Sequence, residues 1–87
     1  MAFEWDELKN ASNKRKHGVG FELVDHFDWK KAVLLPDSRF DYGEDRMRAY
    51  GRIDGEPHCF VFVLRAQNVR IISLRRMHDR EVKRYGI

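Results

Sequence analysis

Up to about Lys31 the apolar residues recur three and four positions apart, and beyond it they alternate with polar ones, so the chain divides into a helical part and a sheet part. In the helical part Asp6 is a good N-cap, no proline or glycine interrupts 7–17, and Gly18 supplies a stop, which predicts a first helix. Its acids, Asp6 and Glu7, lie at the start, and Lys14, Arg15, Lys16 and His17 lie at the end, the order that complements the helix dipole. Phe21, Val24 and Phe27, with Leu23 beside them, predict a short second helix over 21–28 that packs on the sheet. In the alternating part, strands are expected at 32–35, 46–53, 58–65 and 69–74, the last three as a meander. Asp54-Gly55 signals a hairpin, and 36–45 reads as a longer polar loop. After Arg75 no breaker occurs until Gly86, so Met77, Val82 and Tyr85 can line one side of a short final helix. The expectation is an α+β fold of one domain over 1–87, in the order α-α-β-β-β-β-α with a mainly antiparallel sheet. Its core should contain Phe21, Val24, Phe27, Val61, Val63, Ile72 and Leu74.

Strand alternation also sorts the charged residues. Met47, Ala49, Gly51 and Ile53 share one face of the second strand, so Arg46, Arg48, Tyr50 and Arg52 share the other. Cations interleaved with an aromatic ring suit single-stranded RNA, whose phosphates they track and whose bases stack, although an ordinary solvent face of a half-buried sheet has the same pattern. The last strand ends in Arg75 and Arg76 just as a helix begins. Guanidinium is planar, always charged and shaped to grip phosphate through two hydrogen bonds.

The 87 residues bound a single small domain, and the net charge of +3 conceals an asymmetry. Residues 65–87 carry seven cations against two acids, a net +5, while the rest of the chain is net −2. A basic C-terminal end suits a polyanionic partner such as RNA, with Arg80, Lys83, Arg84 and Tyr85 as further contacts. No run of about 18 apolar residues is present, and the start, with Glu4, Asp6 and Glu7, does not resemble a signal sequence, so a cytoplasmic protein without membrane contact is expected. Cys59, the single cysteine, lies in an apolar run where an inert buried thiol is expected, and no disulfide can form within the chain.

His17, His26, His58 and His78 do not fall in metal-ligand spacings, and no nucleophile elbow, Walker loop or dinucleotide fingerprint occurs, so neither metal nor cofactor is expected. RNA can be cut without a metal when a base takes the 2′-hydroxyl proton, cations stabilise the phosphorane-like transition state and an acid protonates the leaving oxygen. His17 and Glu81 are the titratable candidates. Arg75, Arg76, Arg70 and Arg46 are the stabilising cations, and Arg48, Tyr50, Arg52 and Lys16 join the C-terminal residues in the RNA-binding set. Each also has a structural reading, His17 as a helix end, Glu81 as a partner of Arg84 and Tyr85 as half-buried core.

Three separated motifs resemble the BrnT toxins of bacterial type II toxin–antitoxin modules, over nearly the whole chain. The opening motif is read in Phe3, Trp5, Asp6, Lys9, Asn13, Lys16, His17, Gly18, Val19 and Phe21; the middle one in Gly43, Glu44 and Arg46, followed by Gly51. The closing motif is read in Arg70, Ile71, Ile72, Ser73, Arg75, Glu81 and Tyr85. Met77 and Leu74 stand where the family commonly has alanine, departures that bear on core contacts more than on chemistry. The resemblance implies a RelE-like, translation-inhibiting endoribonuclease neutralised by a BrnA-type antitoxin. It further implies a heterocomplex compatible with a 2:2 assembly, with operator DNA reached only through the antitoxin. The alternatives are a non-catalytic nucleic-acid-binding module on the same scaffold and an inactivated toxin that retains antitoxin binding.

Overall fold

The computed structural model describes residues 2–39 and 41–87. In chain order it has β1 (Phe3–Glu4), α1 (Glu7–His17), a 3-10 helix (Phe21–His26), β2 (Val33–Asp37), β3 (Arg46–Ile53), β4 (Glu56–Arg65), β5 (Asn68–Arg76) and α2 (Asp79–Tyr85). The caps of α1 act as the sequence implies. The Asp6 carboxylate accepts the backbone N–H groups of Leu8 and Lys9, and Gly18, at φ 75, donates its own N–H to the Lys14 carbonyl. That left-handed conformation costs glycine nothing and most other residues about 1 kcal/mol or more.

The sheet corrects the expected topology. It has five strands in the order β1-β5-β4-β3-β2 and is mixed, because β1 pairs parallel with β5 while the meander from β2 to β5 is antiparallel. A two-residue strand shows no period, and its partner lies at the far end of the sequence. The expected second α-helix is instead a six-residue 3-10 helix. Its tighter winding superposes residues three apart, so Phe21 and Val24 both point into the core and are fully buried.

Ile72 is only half-buried, and Ile71 takes its place in the core. A register shift explains the exchange: Val61 pairs with Ser73 but Phe62 pairs with Ile71, so Ile72 is the extra residue of a β-bulge. The other expected core residues are buried. One face of the sheet carries Ala49, Ile53, Phe60, Phe62, Ile71 and Leu74 against Phe21, Val24 and Phe27. The other carries Tyr50 and Cys59, covered by Met77 and by Val82, Tyr85 and Ile87 at the C-terminal end.

Helix α1 is fastened along the edge of β5 where β1 stops. The buried Asn13 amide donates to the Leu74 carbonyl at 2.8 Å, and its oxygen accepts the Leu74 N–H at 3.1 Å, so one side chain does what a neighbouring strand would do. The same amide nitrogen donates to the Val19 carbonyl, tying the turn after α1 to the sheet.

Candidate active site

The end of α1, the loop after β2 and the middle of β3, β4 and β5 enclose a cleft of about 250 Å³. Its walls carry Lys16 and His17 from α1, Arg39 from the loop, Arg48 from β3, and Ser73 and Arg75 from β5, with Cys59 and Val61 of β4 between them. Strand pairing sets the rows: Arg48, Val61 and Ser73 lie abreast, as do Tyr50, Cys59 and Arg75. Four residues singled out in the sequence, Lys16, His17, Arg48 and Arg75, are therefore neighbours although they come from both ends of the chain.

Arg75 is fixed from the C-terminal side. Its two terminal nitrogens donate to the two Glu81 carboxylate oxygens at 2.7 and 2.9 Å, and one of them also donates to the Arg76 carbonyl at 3.2 Å. Glu81 in turn accepts the His78 backbone N–H, completing a capping box at the start of α2. Hydrogen bonding from Arg75, against the opposing effect of burial, holds the Glu81 carboxyl down to about 2. Glu81 is thus ionised at any physiological pH. His17 behaves oppositely: burial first, then Lys16 and Arg75, lower its pKa and favour the neutral imidazole, a form able to accept a proton.

Cys59, in the cleft wall, and Tyr50, buried behind it, stay uncharged. Burial pushes the Tyr50 phenol up to about 12 and also raises the Cys59 thiol. Tyr50 is 2% exposed and stacks on Tyr85 at 4.3 Å between ring centroids, so the open base-stacking surface expected there is not present. The cause is α2, which folds back over that face. Tyr50 serves the cleft differently, its hydroxyl accepting from Arg48 at 3.1 Å. The Arg48 Nε atom is buried with no hydrogen-bond partner among the described residues.

The remaining predicted residues stand apart. Arg70 pairs with Glu4 at 2.8 Å and lies five residues along β5 from Arg75, about 16 Å at about 3.3 Å per residue. Arg46 pairs with Glu44 at 3.1 Å and covers the Tyr42 ring at 3.9 Å. Arg76 is exposed and, as the next residue on the strand, faces away from Arg75. Arg52 donates to the Gly55 carbonyl in the hairpin. Arg80, Lys83 and Arg84 form an exposed basic surface on α2, with Arg84 over the Tyr85 ring.

Arg39 was not anticipated. It donates to the Asp37 carboxylate at 2.7 and 3.0 Å; that carboxylate is fully buried, and the Arg39 guanidinium holds it below its usual range. The only sequence signal was an acid at a strand end two residues before an arginine, which is too common to single out. Among the described residues no three His, Cys, Asp or Glu side chains cluster as metal ligands.

Fold and cleft together define a small α+β protein with a cleft of about 250 Å³ lined by four cationic side chains, Lys16, Arg39, Arg48 and Arg75. The chain belongs to the BrnT family, whose model, described as the ribonuclease toxin, BrnT, of type II toxin-antitoxin systems, matches residues 5–81. His17, Arg48, Arg75 and Glu81 all fall within that span. No curated protein matches the chain.

Proposed function

We propose that the cleft is the catalytic site of a metal-independent endoribonuclease. The observation that carries this reading is a histidine favoured in its neutral form among Lys16, Arg39, Arg48 and Arg75. His17 takes the proton of a ribose 2′-hydroxyl, the 2′-oxygen attacks the adjacent phosphorus, and the bond to the 5′-oxygen breaks, leaving a 2′,3′-cyclic phosphate. The departing oxygen takes a proton from solvent. Arg75 and Arg48 stabilise the charge that builds on the non-bridging oxygens, Arg39 and Lys16 hold the flanking phosphate, and Glu81 fixes Arg75 instead of moving protons. Arg46, Arg70, Arg76, Arg52, Arg80, Lys83, Arg84 and Tyr85 act at most in guiding RNA toward the cleft.

Residues 1–87 act as one RelE-like toxin domain in the cytoplasm, where RNA cleavage inhibits translation. A BrnA-type antitoxin, in a 2:2 heterocomplex, neutralises it and alone contacts operator DNA. The family and the basic C-terminal end support this reading.

The test is purified protein incubated with RNA in EDTA, with product ends analysed. Cyclic-phosphate and 5′-hydroxyl ends are expected, with Arg75→Ala slower by roughly 10²–10³ and Arg70→Ala close to the parent. Cleavage abolished by EDTA, or a folded Arg75→Ala variant that cuts at the parental rate, would overturn the mechanism.

A further inference from the structure

The bulge in β5 does more than choose between two isoleucines. Val69 and Ile71 face the core, and unbroken alternation would send Ser73 and Arg75 there too and turn Leu74 outward. The extra residue, Ile72, reverses the alternation, so Leu74 is fully buried while Ser73 and Arg75 both line the cleft. Bulges re-aim side chains in this way beside active sites. Arg75 stabilises the developing charge, and Ser73 is delivered to the same place.

Ser73 stands where the reacting group must lie. It is abreast of Val61 and Arg48, so the serine and the arginine face each other over about 10 Å, two strand spacings, with Arg75 about 7 Å further along β5. Val61, between them, has no polar atom and forms a floor. Asn13 ties α1 to Leu74, and His17, one turn beyond Asn13, lines the cleft beside the same stretch of β5. The three arginines of the cleft each hold a protein partner, Asp37, Tyr50 and Glu81. The Ser73 side chain is half-buried, and its hydroxyl has no hydrogen-bond partner among the described residues. A hydroxyl carries one donor that rotates to meet an acceptor, so this donor is left for whatever enters the cleft.

We propose that the Ser73 hydroxyl donates to a non-bridging oxygen of the scissile phosphate, which sits over Val61 with Arg48 on its far side and Arg75 beside it. The proposal rests on the ribonuclease reading above. Negative charge grows on that oxygen as the 2′-oxygen attacks, so the hydrogen bond strengthens toward the transition state and acts on kcat. Ser73 keeps its proton throughout, and the pH dependence stays with His17.

The experiment compares the parent with Ser73→Ala on an RNA oligonucleotide carrying one phosphorothioate at the bond the parent cuts, each diastereomer taken separately. On the ordinary oligonucleotide, kcat is expected to fall roughly 10²-fold with KM within about twofold, the size of losing one donor to a transition-state oxyanion. The pH–rate profile and the urea midpoint should not change, since the folded protein loses no internal hydrogen bond. Sulfur accepts hydrogen bonds weakly, so one diastereomer should slow the parent and leave the variant no slower than on oxygen. Thio effects of equal size in parent and variant, or a variant that cuts at the parental rate, would overturn the proposal. So would a urea midpoint that falls together with the rate, because the hydroxyl would then act on the fold. Absence of cleavage by the parent would sink the ribonuclease reading instead. The phosphate seat is then decided by NMR titration with inorganic phosphate: binding several-fold weaker in Ser73→Ala supports it, and equal binding overturns it.

Discussion

Replacing Glu81 with glutamine separates a positioning role from proton transfer and has a size that follows from the structure. The Arg75–Glu81 pair is shielded, with side chains 27% and 15% exposed, and the carboxyl is lowered from its ordinary 4.5 to about 2. At about 1.4 kcal/mol per pKa unit, the folded state gains on the order of 3 kcal/mol from the ionised form at neutral pH. For a domain of this size that corresponds to a fall in Tm of roughly 10–20 °C in Glu81→Gln. Because the folded pKa is depressed, the contribution is complete above pH about 4.5 and is lost as pH falls through about 2. Urea unfolding of parent and variant between pH 2 and 7 should therefore show a gap that is widest at neutral pH and closes in acid. In cleavage assays the variant should be slower, with the pH profile otherwise unchanged, since the group it removes does not titrate in the working range. A gap below about 1 kcal/mol at pH 7, or one that ignores pH, would mean that the pair behaves as an ordinary surface contact. Loss of a limb of the pH–rate profile would show that Glu81 carries a proton.

His17 titrates below 6.5 because burial and its cationic neighbours oppose protonation, so kcat/KM should rise with pH and level off by neutrality; Lys16→Gln should move that rise to higher pH, measured with a fluorogenic RNA. Asp37→Asn releases Arg39 from its buried partner, and KM for RNA should increase several-fold with kcat nearly constant, as steady-state kinetics would report. Asn13→Ala removes three hydrogen bonds from a buried position and should lower stability by about 3 kcal/mol in urea unfolding; a loss under 1 kcal/mol would mean that water replaces the amide at the strand edge.

What the sequence made legible was local. Asp6 and Gly18 bound α1 at the residues read from their capping chemistry, and Asp54-Gly55 joins β3 to β4 as its turn preference requires. The alternation in β3 correctly divided Ala49 and Ile53 from Arg48 and Tyr50. What it could not show depends on contacts distant in sequence. The pairing of Phe3 with Val69 joins chain ends and leaves no periodic trace in two residues. The bulge at Ile72 reverses which isoleucine is buried, and an apolar pair reads the same in either register. Tyr50 belongs to the face assigned to it, but strand period does not reveal that α2 folds over that face. For the candidate site, the motif residues were visible while their grouping was not. Arg75 and Arg70 look equivalent in one strand, yet one faces His17 across the cleft and the other is held by Glu4.

The joining of both chain ends at β5 bears on when in synthesis the cleft can form. Leu74 receives its edge partner from Asn13, 61 residues away in sequence, and Arg75 receives its carboxylate from Glu81, so the cleft is complete only once the last helix has formed. At roughly 5–20 residues per second, a ribosome needs several seconds to reach that point. Through that interval α1 has no β5 edge to fasten to, although β2, β3 and β4 can already pair with one another. A chain cut short before α2 lacks the Glu81 clamp on Arg75.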